Sequence, residues 1–193
     1  MTRRAAASIR LGALALFFAW MGAGLLGCAA LPDDAAVVEI LDEDSGVTIT
    51  RLGRPVELYL ESGKRNVADR FAFLGPFETN QMGRRDSFLW IAVPLSYPDE
   101  AAIPAILVDG TALSLVEPGR NAEFAGLQRS PYKIPTPWIA TYYFRVGADL
   151  LTRLGAARDL RIQAVDPVRS GPLDLEYTAP AGVNPALAEF ASR

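Results

Sequence analysis

The chain has 193 residues, 50% hydrophobic and 21% charged, which suits one ordinary globular domain and argues against a disordered protein. Its net charge is −3. Arg3, Arg4 and Arg10 are the only charged residues before position 28, so the rest carries 16 basic against 22 acidic residues, a net of −6, and leaves no cationic footprint for nucleic acid or an anionic lipid surface. With no histidine and one cysteine, the chain lacks the Ser-His-Asp and Cys-His catalytic sets and the usual zinc ligands.

In chain order, residues 1–10, "MTRRAAASIR", form a positively charged n-region, and residues 11–27 run 17 positions without a charge. A bilayer-spanning helix needs about 20 apolar residues, so this run is the length of a signal-peptide h-region. Asp33, Asp34 and Glu39 follow it, where a stop-transfer helix usually carries basic residues. Residues 28–46 are acidic and read as a tether, although Val37, Val38, Ile40 and Leu41 also suit a first strand.

From Val47 the hydrophobic period is mostly two. "VTIT" and "VELYL" place Val47 and Ile49, then Val56, Leu58 and Leu60, on one face, and "RFAF" continues with Phe71 and Phe73. "FLWIAV", Phe88 to Val93, is apolar on both faces and predicts a central strand covered on both sides. Asp109-Gly110 in "ILVDGTALSLV" predicts a type I′ hairpin. "TYYFRV", "LRIQAV" and "LDLEYT" bring the expected strands to eight or nine. Leu150, Leu151 and Leu154 recur at helical spacing within residues 147–157, and "NPALAEFASR" suits a last helical turn. The expected fold is mainly β: an antiparallel, immunoglobulin-like β-sandwich over residues 47–193, with one short crossover helix near 148–157.

The boundary at Leu25-Leu26-Gly27-Cys28 resembles the lipobox of bacterial lipoprotein precursors, with an aliphatic residue at −3, a small residue at −1 and then the cysteine. The resemblance implies recognition of Leu25, Leu26 and Gly27 by a dedicated peptidase, cleavage before Cys28 and acylation of that residue. It divides the chain into a signal peptide (1–27), an acylated N-terminus with its acidic tether (28–46) and the sandwich domain. A lone thiol in an exported protein has no disulfide partner, and lipidation consumes it. One myristoyl chain binds membranes only reversibly, whereas two or three acyl chains on one residue hold permanently. Ala29 stands where an inner-membrane retention signal would have Asp, so the resemblance implies a periplasm-facing protein of the outer membrane. Beyond the lipobox, the domain resembles the small β-sandwich lipoproteins of proteobacterial envelopes, without a named family.

The remaining chemistry is sparse. No G-x-S-x-G, S-x-x-K or P-loop pattern occurs. Carboxylates such as Glu57 and Glu176 suit a hydrolase pair, but they alternate with apolar residues as on a solvated strand face. "DEDSG", residues 42–46, lacks the ligand spacing of a calcium loop, and no cofactor or metal is expected. Two segments suit partner contact. One is a polar loop over residues 75–87 with Asn80, Arg84 and Arg85, whose guanidinium groups suit carboxylates or phosphates unless nearby acids neutralise them. The other is a proline- and aromatic-rich loop over residues 130–140 with Tyr132 and Trp138, which suits either a binding surface or a cap on the core. The expected function is therefore a membrane-tethered, non-catalytic binding or scaffolding module whose partner is an envelope protein or the cell wall. The alternatives are a carrier of a lipid or other apolar ligand inside the sandwich and, last, a carboxylate-based hydrolase.

Overall fold

The computed structural model describes residues 37–60, 70–94, 103–116, 118–133, 139–166, 171–180 and 185–193. They form a ten-stranded antiparallel sheet and two α-helices, the mainly β, sandwich-like architecture expected. The strands are β1 (Val37–Asp42), β2 (Val47–Leu52), β3 (Val56–Leu60), β4 (Phe71–Gln81), β5 (Arg84–Pro94), β6 (Ile103–Val108), β7 (Thr111–Ala112), β8 (Ile139–Arg145), β9 (Leu160–Asp166) and β10 (Gly171–Thr178). The crossover helix α1 spans Ala148–Ala156 between β8 and β9, and α2 spans Pro185–Ala191.

One break in the sheet gives it two halves. β2 and β3 both pair with the same edge of β4: Arg51 stands opposite Phe77, and Val56 opposite Leu74. Four residues, Leu52 to Pro55, therefore face only Gly75 and Pro76, and the two prolines bring no N–H to this point. Beyond the break, β2 turns its other edge to β1, while β3 turns its other edge to β10. One half runs β1-β2-β4-β5-β8 and the other β3-β10-β9-β6-β7. A strand that changes partners at a bulge is how one sheet folds over a shared core.

The register assigns the inner face. Val56, Leu74, Ile91 and Tyr142 lie in one cross-strand row, and Tyr177, Ile162 and Ile106 in another. All seven are buried. Leu151 and Leu154 of α1 and Ala186, Leu187 and Phe190 of α2 are buried in the same core. The two helices meet at Gly155, where an added Cβ would lie 3.0 Å from the Ala188 Cα, so glycine permits the close approach.

The opposite face of β4, β5 and β8 is also dry, as the unbroken run "FLWIAV" predicts. Residues 118–133 lie across it. Phe124 meets Phe88 edge-on at 6.3 Å, and Tyr132 packs on Trp90 at 5.1 Å. A short 3-10 helix, Ala122–Ala125, shapes this strap; the Asn121 side chain accepts from the Phe124 N–H, and Gly126 ends the turn. The strap is fastened beside β8 by reciprocal Gly119–Tyr143 backbone bonds of 2.8 and 2.9 Å.

Three sequence expectations change in detail. Residues 75–87 are not a loop: apart from the Met82-Gly83 turn they are strand, paired from Phe73↔Ala92 to Gln81↔Arg84. Asp109 and Gly110 do take positive φ, 49° and 75°, but the returning strand β7 is only two residues long. The acidic residues 37–46 form β1 and its turn into β2, with the Ser45 hydroxyl donating to the Asp42 carboxylate at 2.7 Å.

Candidate functional site

The β4–β5 hairpin ends in a two-residue turn in which Met82 and Gly83 have φ of 53° and 88°, the type I′ signature. Glycine adopts that conformation freely, whereas methionine is strained by it. Asn80 supports the turn: its Oδ1 accepts from the Gly83 N–H at 3.0 Å. Met82 is fully exposed. Strain and exposure thus coincide at the apex of a hairpin paired along its whole length.

Strand alternation then separates the two arginines. Arg84 shares a face with Asp86, and Arg85 lies on the opposite face, across from Asn80. Arg84 Nε is 3.1 Å from Asp86 Oδ2, while Arg145 of β8 reaches Asp86 Oδ1 at 3.4 Å. Arg85 pairs with Glu78 at 3.6 Å. The side chains of Arg84 and Arg85 remain 73% and 67% exposed, so these are solvent-screened pairs that leave both guanidinium groups accessible. They cannot close on one carboxylate as a pair, because they project from opposite faces.

The β1–β2 turn is at the same end of the sheet, since Thr48 stands opposite Asn80. There the strap reaches across: the Gln128 N–H donates to Asp42 Oδ2 at 3.3 Å, and Arg129 pairs with Asp44 at 2.8 Å. The Asp42 carboxyl is held below its ordinary range, chiefly by the Ser45 hydroxyl, against a smaller opposing effect of burial, with Gln128, Asp44 and Arg129 contributing after that.

Tyr132 is elsewhere. It is 3% exposed and presents no surface to a partner, so of the two roles expected for its segment it takes the one in the core. Its hydroxyl donates to the Pro76 carbonyl and accepts from the Leu52 N–H at 3.3 Å, two backbone groups left over by the break between β2 and β3. Burial pushes its phenol well above the ordinary range. Arg51 completes the repair, its Nη1 donating to the Leu52 and Gly53 carbonyls at 2.7 and 2.9 Å, with the guanidinium 5.3 Å from the Tyr132 ring. Gln81 at the hairpin end is six positions along β4 from Gly75, under this ring, about 20 Å of strand. Tyr132 and the hairpin tip do not form one site. Trp138, Cys28 and the residues Leu25, Leu26 and Gly27 lie outside the described residues.

Glu57 and Glu176 are on the outward face of β3 and β10. The Tyr59 hydroxyl donates to Glu57 at 3.1 Å, and Glu176 is engaged by Arg161, itself held by Asp159 at 2.7 Å. Both are members of outward-facing polar networks. Among the described residues no cluster of three or more His, Cys, Asp or Glu is placed to hold a metal, and no helix is long and apolar enough to cross a membrane. Compared with models of known families, with curated proteins and with solved structures, the chain matches none of them. Sequence reasoning passed over Met82 and Arg51; the "MG" dipeptide between two polar strand ends was the only signal for the first, and nothing in the sequence marks the second.

Proposed function

We propose that the chain is a lipid-anchored, non-catalytic binding or scaffolding module of a bacterial cell envelope, facing the periplasm from the outer membrane. The observation that carries this reading is the single cysteine at the end of an uncharged run, in Leu25-Leu26-Gly27-Cys28. The domain's character supports surface binding over enclosed cargo: Tyr142, Phe144 and Tyr177 are fully buried on the side facing the shared core, and Trp90, Tyr143, Phe77 and Phe88 fill the layer under the strap. The hairpin tip offers one contact surface, with Met82 as an apolar point flanked by the accessible guanidinium groups of Arg84 and Arg85.

The test is mass spectrometry of the full chain purified from membranes of a lipoprotein-processing bacterium. The reading requires a mature N-terminus at Cys28 carrying acyl chains, and release of Cys28→Ser from the membrane fraction. A free thiol at Cys28 with the first 27 residues still attached would end it.

A further inference from the structure

β1 is an edge strand that exposes an aliphatic residue on each face, while Val37 and Val38 at its start are half-buried. Among the described residues it pairs with β2 alone and ends the strand order. Ile40 is 38% exposed on one face, and Leu41 is 62% exposed on the other. Apolar exposure on a single face would suit a helix or sheet laid over it. Exposure on both faces suits a neighbour in the plane of the sheet, because an added strand places side chains above and below at once. From Val37 to Thr50 the chain carries Glu39, Asp42, Glu43 and Asp44 and no basic residue. Asp42 and Asp44 are engaged by Ser45, Gln128 and Arg129, whereas Glu39 stands exposed beside Leu41.

We infer that β1 is a strand-addition site for an extended, basic segment of a partner protein, in which aliphatic residues alternate with Lys or Arg. Backbone hydrogen bonds along the open edge bind the segment, its aliphatic side chains cover Ile40 and Leu41, and a cation opposite Glu39 fixes the register. The acidic edge rejects acidic strands and, through repulsion of Glu39 and Glu43, a second copy of itself. This inference rests on the binding-module reading and adds a second contact surface, distinct from the hairpin tip, with its own partner chemistry. The state of Cys28 is measured separately, so the anchor and the edge site fail independently.

The experiment titrates the full chain into fluorescein-labelled eight-residue peptides and follows anisotropy at two salt concentrations. The probes are a peptide alternating Val and Lys, one alternating Val and Glu, and the Val/Lys peptide with every backbone nitrogen methylated. The Val/Lys peptide binds, more weakly at higher salt, and the other two bind at least about tenfold more weakly. Glu39→Lys and Leu41→Asp, both at exposed positions and checked for folding by circular dichroism, each weaken binding about fivefold or more. Equal binding of the methylated peptide, or indifference to both substitutions, would overturn the inference. So would a dimer of the chain alone that Leu41→Asp dissolves, since the edge would then belong to a second copy.

Discussion

The Tyr132 ring lies directly over the backbone of Gly75: a Cβ placed on Gly75 would fall 2.3 Å from Tyr132 Cε2. The contact seats a side chain of the strap in the break between β2 and β3, where its hydroxyl serves the Leu52 N–H and the Pro76 carbonyl. Gly75→Ala must push the ring out and is expected to destabilise the domain by about 1–3 kcal/mol or more. Tyr132→Phe keeps the ring but strands both backbone groups, for a loss of about 1–3 kcal/mol. Urea denaturation of the two variants measures both effects.

The same phenol gives a signature in alkali. Its folded-state pKa is raised above the ordinary 10.0 by burial, so it contributes stability that is fully present below pH 10 and is lost as pH rises beyond it. Melting temperatures should fall above pH 10 in the wild type and fall less steeply in Tyr132→Phe. Equal slopes would mean that another group drives the alkaline loss.

Asp42 predicts the opposite limb. Its folded pKa is lowered from 3.8, so its contribution is present above that value and disappears as pH falls through the lower folded one. Ser45→Ala removes the principal cause and should flatten the acid limb of the stability curve. The effect is modest, because solvent screens this carboxylate. Denaturant midpoints between pH 2 and pH 5 show it.

At the hairpin apex, Met82 occupies a backbone conformation that Asn tolerates better. Met82→Asn should raise stability by about 0.5–1 kcal/mol, through relief of positive-φ strain in an Asn-Gly turn. If the apex binds a partner, the same change weakens that binding while the fold becomes firmer. Calorimetry gives the first quantity, and crosslinking yield in intact cells the second.

Gly155→Val tests the helix pair. The branched side chain meets Ala188 and Ala191 and should cost about 1–3 kcal/mol, by separating α1 from α2. A neutral result would mean that α2 docks without the close approach.

Much of the fold was legible because β-strands write their burial as a period of two, and "FLWIAV" abandoned that period where both faces are covered. The hairpin was not. Glu78, Asn80, Gln81, Arg84 and Arg85 are polar on both faces of strand ends that run past the core, and the one buried residue among them, Thr79, is polar too, so no alternation remained to read. Tyr132 stood between two roles in the sequence for a different reason. Its burial comes from a mismatch of four residues against two between distant segments, and no local pattern records such a mismatch. For the proposed site, the acidic character of β1 could be read directly, while the openness of its edge depends on the strand order.

The shared use of β4 also bears on how the chain acquires its shape. The β4–β5 hairpin closes over a two-residue turn and can form early, within microseconds for a ladder of this kind. Joining β3 to β10 brings Leu60 to Tyr177 across most of the sequence. That closure spans the longest sequence separation of any described strand pair and carries the larger loop entropy, which favours its forming after the hairpin and leaves the edge of β3 toward β10 unpaired until then.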